Sequence, residues 1–346
     1  MGHLINFTYV NGEKTGYGKI LMSDVIVTRK RNLFRDRAWK INDVNMALWF
    51  LTIHLLTLFA PFTFTWGAFW AAFCAYVLCG MLGITLSYHR NLAHRSLTLP
   101  KWLEYTFAYF GVQAVQRDPI SWVSTHRYHH QFVDADKDPH SPIYGFWFSH
   151  MGWIFDHSFS LEKYPERKNV EDLKTQVFYR FINRTYSFHI FGFAAIVYAL
   201  GGFPYLVWVM GVRLACVYHF TFLVNSACHI WGSRVWNTND LSKNNMHIRC
   251  NSRSLRSPRR PRTTAGSTNP FLGKGEWVAL LTFGEGWHNN HHAFEYSARL
   301  GLEWWQFDPC WTFIQVLKAL GLATNVKEPK KAHKIKKTYA SVNKIT

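Results

Sequence analysis

The sequence predicts a mainly α, integral-membrane fold, with four transmembrane helices in two hairpins and a cytosolic helical domain as their cap. Three observations predict it. Apolar residues come in two pairs of long runs, each pair joined by a short turn. Basic residues flank those runs, and the rest of the chain is polar. Hydrophobic residues make up 48% of the 346 positions and aromatics 17%, with only 17% charged. That is aromatic-rich and charge-poor for a soluble protein. Mean hydropathy is nonetheless −0.12, so only part of the chain can lie in lipid.

Residues 1–40 read as a polar segment with little order before the basic run Arg29, Lys30, Arg31, Arg35 and Arg37. A membrane domain over 41–330 follows. Its first span, about 44–60, is stopped by Pro61, and the second, about 66–88, is long enough to cross a bilayer. The connection 61–65 is short, so these two form a hairpin that returns to its starting side. The stretch 89–187 is polar and rich in His, Asp and Arg; its one apolar run, Trp102 to Val115, suits a half-buried or interfacial helix. A second hairpin joins spans at about 188–203 and 205–230 through Gly201, Gly202 and Pro204. The remainder turns polar again, apart from a buried-looking piece at Trp277 to Phe283, and 331–346 forms a basic tail.

The formal charge is +18. Its placement at the ends of apolar runs, and in Lys330, Lys331, Lys334, Lys336 and Lys337, fits the cytoplasmic side of a membrane protein and anionic headgroups, and argues against nucleic acid. The six cysteines lack any CxxC spacing, so neither a disulfide framework nor a zinc ribbon is indicated.

Eighteen histidines are many, and their arrangement says more than their number. His89 and His94 end the second span. His126, His129 and His130 make an HxxHH, as do His288, His291 and His292. Asn225 and His229 stand four apart at the end of the fourth span. In the two-hairpin topology all ten positions fall on the cytosolic side. On a helix, positions i, i+3 and i+4 share a face, so each HxxHH can aim its imidazoles at one site. His89 and His94 are roughly 140° apart on an ideal helix and need local unwinding to converge. Nine imidazoles with few carboxylates suit iron, zinc or copper rather than magnesium or calcium. One zinc takes three or four ligands, so nine imply two metals. Asp134, Asp136, Asp138 and Glu285 are near enough to orient them. His54 and His189 suit core or interfacial roles. His3, His140, His150, His157, His219, His247 and His333 are not expected as ligands, and Trp66 and Trp70 read as interface anchors.

The strings HRNLAH (89–94), HRYHHQFVDADKDPHSP (126–142), NSACHIWG (225–232) and GEGWHNNHHAF (284–294) closely resemble the membrane-bound stearoyl-type, delta-9-like acyl desaturases, particularly the plant group. The resemblance implies two iron ions held by His89, His94, His126, His129, His130, His229, His288, His291 and His292, with Asn225 reaching one iron through water, and O2 as co-substrate. It implies a kinked tunnel for the acyl chain and a cis double bond, at delta-9 or nearby, in a saturated acyl-CoA or acyl lipid. Arg117, Asp118 and Trp122 are candidates for contact with the substrate near the tunnel entrance. Only about twenty mostly basic residues follow Val326, so electrons are expected from a separate acidic donor: cytochrome b5 in the endoplasmic reticulum, or ferredoxin in a plastid membrane. A membrane hydroxylase of the same histidine-box class is the alternative.

One stretch departs from the pattern. In plant relatives a segment like DLSKNN (240–245) runs almost directly into one like WVALLTFGEGWHNNHH (277–292); here 246–276 intervenes, with six Arg and one Lys against one Glu. It reads as disordered, either a retained intron or gene-model error, or a real loop binding anionic lipid. An insertion there threatens to loosen the metal site and leave a catalytically impaired, desaturase-like protein. The first 21 residues are also atypical, with Met22 a plausible alternative start.

Overall fold

The structure, a computed structural model, describes residues 9–10, 13–14, 23–35, 37–163, 167–245 and 277–338. The 246–276 segment and, apart from residues 9–10 and 13–14, the start before Ser23 lie outside these residues, and so do the readings made of them. Apart from a two-residue strand pair, Tyr9–Val10 with Glu13–Lys14, and isolated bridges such as Thr98 with Thr324, the regular secondary structure of the described residues is helical.

Among the described residues, three helical stretches are long and apolar enough to cross a membrane: Ile41–Phe62, Trp66–Ala93 and Val177–Ile230. The first contains α1 (Ile41–Leu58), whose end at Pro61 needs no cap beyond a short 3-10 turn. The second opens as α2 (Trp66–Tyr76) with Thr65 as its N-cap, the hydroxyl accepting from the Ala68 N–H at 3.1 Å. It then widens into a π-helix, Val77–Ala93. The third is one 54-residue stretch by composition, but it folds back on itself. Gly202, at φ 67° and ψ −161°, breaks α8 (Val177–Leu206) near its end. Pro204 follows, then a π turn at Val207–Val212, α9 (Arg213–Asn225) and α10 (Ala227–Ile230). The Arg213 guanidinium lies 5.8 Å from the Phe193 ring; a straight helix would put those residues about 30 Å apart.

Between the apolar stretches lie α3 (Lys101–Val112), α4 (Pro119–Phe132), α5 (Phe146–His150), α6 (His157–Lys163) and α7 (Glu171–Lys174). Helix α3 is one-sided as expected: Leu103, Phe107 and Ala108 are buried while Trp102 is exposed. It crosses the π-helix at Gly83 and Gly111, where a Cβ on Gly83 would run into the Gly111 backbone. Helix α4 begins with Asp118 as N-cap and Pro119 at N1, a pairing that satisfies one end N–H and omits another. The C-terminal part adds α11 (Trp277–Leu281), α12 (His288–Ala293), α13 (Pro309–Ala319) and α14 (Lys331–Lys337). The expectation of a buried piece at 277–283 holds for one face only, since Val278 and Ala279 are buried but Trp277 and Leu280 are exposed.

Residues 23–28, expected to have little order before the basic run, are tied down instead, and so is the start of that run. Val25 is buried, the Lys243 ammonium meets Asp24 at 2.6 Å, and Arg31 pairs with buried Asp156 at 2.5 Å. A few specific partners on the body of the protein override a polar composition.

A candidate dinuclear metal centre

The imidazoles meet in two adjoining clusters. His89, His94, His126, His130 and His291 form one, and His129, His229, His288 and His292 the other; within each, one ligand atom per residue lies within 4.8 Å of all the others. Nε2 atoms face one another at 3.1 Å between His89 and His291, 2.8 Å between His94 and His126, and 3.0 Å between His130 and His291. In the second cluster His288 Nε2 is 2.8 Å from His229 Nε2 and 3.0 Å from His292 Nε2. His129 Nε2 is buried with no hydrogen-bond partner. Nitrogen lone pairs converging in this way, some unpartnered, are a donor set that fits metal ions.

The local winding explains the convergence. The π-helix is the unwinding that His89 and His94 required: the His94 N–H donates to the His89 carbonyl at 3.1 Å, five residues back, and the two rings are 4.8 Å apart. The HxxHH boxes correct the expectation of one site per box. Each box divides. On α4, His126 and His130 face the first cluster while His129 turns to the second; on α12, His288 and His292 face the second while His291 turns to the first. Positions i and i+4 are about 40° apart around a helix, but i+3 lies about 60° the other way, so a helix wedged between two centres serves both.

Carboxylates hold the outer nitrogens. His129 Nδ1 is 3.0 Å from Asp138, His229 Nδ1 2.9 Å from Asp134, His292 Nδ1 3.0 Å from Asp240 and His89 Nδ1 2.8 Å from Glu285. His130 Nδ1 is 3.4 Å from Glu295. Asp240 and Glu295 carry no spacing signal and were not legible in the sequence. Asp136 is not part of this shell; it binds Arg29, Tyr144 and Lys163. His140 is not expected as a ligand, yet it is buried with its ring 4.4 Å from that of His129, and its ring groups with His129 and Asp138. Burial, reinforced by neighbouring imidazoles, holds His94, His126, His288 and His291 well below the usual histidine range, which keeps them neutral and able to ligate. Burial also opposes ionisation of Asp138 and Asp240, but the imidazoles facing them outweigh it and hold both carboxyls below their ordinary range.

Other residues of the same motifs act as bolts. Arg90, 1% exposed, makes a two-pronged pair with Asp308 at 2.9 and 3.1 Å. Arg127 grips Asp172 at 2.8 Å through both nitrogens and donates to the Leu92 carbonyl. Asn289 accepts from the Val235 and Trp236 N–H groups, and Asn290 bonds Trp236, Leu300 and Gln306. The flanks of the 246–276 segment stay together too, with the Asn245 N–H donating to Gly286 at 3.0 Å.

Against the clusters lies a bent apolar cavity in two arms. One arm, about 640 Å³, runs past His89, His126, His129 and His288 between Ile84, Val217 and Val224 to Tyr76, Gly80 and Phe283. The other, about 650 Å³, runs past His140, Trp153 and Phe222 to Met46 and Arg117. The arms share Trp122, His126, Thr221 and Asn225. Asn225 thus faces the cavity while His229 joins the second cluster. Beyond Met46 and Arg117 the second arm continues into a wider mouth with Asn42, His157 and Arg167. Asp118 also lines this mouth, although its carboxylate caps α4. Phe283, at φ 54°, and Gly284, at φ 107°, make the strained turn that aims Glu285 at His89.

The family model "Fatty acid desaturase" matches residues 64–322. The chain is 52% identical over 326 residues to the palmitoyl-monogalactosyldiacylglycerol delta-7 desaturase, chloroplastic, of Arabidopsis thaliana, an alignment covering 94% of this chain and 80% of the relative. It is 49% identical over 303 residues to the acyl-CoA C20 Δ5-desaturase of Anemone leveillei, covering 88% of each. It is also 49% identical over 306 residues to delta-9 acyl-lipid desaturase 1 of Arabidopsis thaliana, covering 88% of this chain and 90% of that protein.

Proposed function

The chain belongs to the fatty acid desaturase family, and from that premise we propose that it is a di-iron enzyme that places a cis double bond, at or near delta-9, in a saturated acyl chain. One observation carries the reading: imidazoles of both clusters, His89 and His126 from one, His129 and His288 from the other, line a single bent apolar cavity. The nine histidines would hold two irons, and Asn225 would meet one of them through water. Bound there, the iron pair supplies the reductive activation of O2 needed to remove two hydrogens from methylenes that have no acidic proton.

The protein's own residues do the positioning. Apolar walls grip each methylene by area, roughly 0.8 kcal/mol per CH2, so depth and bend decide which bond faces the clusters. Trp122 and Thr221 form the bend. Tyr76, Gly80 and Phe283 close the far arm, where a Cβ on Gly80 would sit 3.0 Å from the Phe283 ring. Arg117 and Arg167 at the mouth receive the headgroup of an acyl-CoA or acyl lipid. In this reading the chain crosses the bilayer four times in two hairpins, the third apolar stretch counting twice, with the clusters on the cytosolic side of the endoplasmic reticulum; the chloroplastic relative supports a plastid membrane as the alternative. Electrons come from a separate carrier, cytochrome b5 or ferredoxin according to the membrane.

Expression in a desaturase-deficient yeast, with and without residues 246–276, tests the proposal by fatty-acid profiling and metal analysis. New monounsaturated chains and about two irons per polypeptide are expected. Hydroxylated products would move the protein to another class of reaction, and the absence of both iron and product would end the proposal.

A further inference from the structure

Resting on the desaturase reading, the reaction balances as R–CH2–CH2–R′ + O2 + 2 e⁻ + 2 H⁺ → R–CH=CH–R′ + 2 H2O, so electrons must enter the protein at some surface. We infer that α14 is the docking face for an acidic one-electron carrier protein, which gives up one electron at each of two encounters per turnover.

Three observations place it there. The helix is pinned next to the metal clusters. The His333 Nδ1 lies 2.6 Å from the Tyr296 hydroxyl, and the Asn237 N–H donates to the Lys337 carbonyl at 2.8 Å, while Thr338 pairs with Trp236. Tyr296 adjoins Glu295, whose carboxylate is the exposed member of the set that touches the cluster imidazoles. Its side chain is 50% exposed, against 11% for Glu285, 6% for Asp134 and Asp240, and none for Asp138. From α14 the route inward is therefore short: Tyr296, Glu295, His130. Second, the helix carries Lys331, Lys334, Lys336 and Lys337, and among the described residues none of these four lies within ion-pair distance of a carboxylate. Third, its outward face has the anatomy of an interface. Ile335, 67% exposed, falls between Lys331 and Lys336 around the helix, an apolar centre with a basic rim. Charges of that kind steer an acidic partner and set its encounter rate more than its final affinity. An anionic lipid surface would also attract lysines, but it would not explain why they are held beside Glu295.

The test uses the full chain in nanodiscs, with the soluble domain of cytochrome b5 and a plant-type ferredoxin as acidic carriers and reduced methyl viologen as a small mediator. For Lys331→Glu with Lys336→Glu, the KM for carrier should rise about tenfold or more, with kcat at saturating carrier, the KM for acyl substrate and the mediator-driven rate unchanged. Lys331→Gln with Lys336→Gln should fall between, and added salt should narrow the gap between wild type and variants. An unchanged KM for both carriers would overturn the inference. So would an equal loss of mediator-driven activity, which would make α14 a support of the fold. An effect confined to nanodiscs with anionic lipid, and shared by the mediator assay, would assign the helix to the membrane surface and also overturn it. If the wild-type chain makes no unsaturated product even with mediator, the desaturase reading itself fails and this inference goes with it.

Discussion

The two imidazole clusters lie side by side and share α4 and α12, yet they are braced differently. In the four-membered cluster three imidazoles rest on carboxylates that are almost wholly buried, Asp138, Asp134 and Asp240. In the five-membered cluster only two do, and one of these, Glu295, is half exposed at 3.4 Å. A carboxylate on the outer nitrogen fixes the ring's tautomer and raises its basicity. The braced cluster should therefore bind its metal more tightly and exchange it more slowly, while the other relies on a fifth imidazole in place of rigidity.

The comparison can be broken in four ways, from the largest effect to the smallest. On the proposed di-iron reading, which needs both metals, removing a candidate ligand from either cluster, His288→Ala or His94→Ala, should take unsaturated product below detection, and metal analysis should show one iron fewer in each variant. Retained product in either variant would show that one cluster suffices. Asp240→Asn leaves the shape but not the charge against His292, and should lower activity or metal affinity about 10–100-fold, read as turnover and as the rate of iron release to a chelator. Glu295→Gln acts on the looser cluster through an exposed group and should cost less than about tenfold. If Glu295→Gln proved the more damaging, the ranking of the two clusters would be reversed. Asp172→Asn unloads Arg127, which steadies α4 for both clusters at once. Because Asp172 is partly exposed, the loss should be about 1 kcal/mol or less in stability, seen in thermal melts with turnover near wild type.

What could be read in advance follows from how local each signal is. The HxxHH boxes, the Asn225 to His229 spacing and the apolar runs depend on residues within one or two turns, and periodicity exposes them. The division of each box between two centres depends on where a second cluster lies, which no single helix reveals. Asp240 reaches His292 across 52 positions, and Glu295 meets His130 only because α4 and the chain after α12 pack together. Asp24 likewise bonds to Lys243, 219 positions away, a tertiary partner that composition does not record.

The π-helix from Val77 to Ala93 is wound with five-residue bonds over 17 positions, and both His89 and its approach to His94 depend on that pitch. Its apolar residues, Leu78, Met81, Leu82 and Ile84 among them, are types that substitute for one another easily, whereas Gly83 is held by its contact with the Gly111 backbone. Its length does not substitute so freely, because excising one position between Cys79 and Tyr88 would let the coil tighten and swing the imidazole of His89 away from Glu285. Among homologous chains, insertions and deletions should therefore be rarer here than residue exchanges, even though the stretch holds few of the candidate metal ligands.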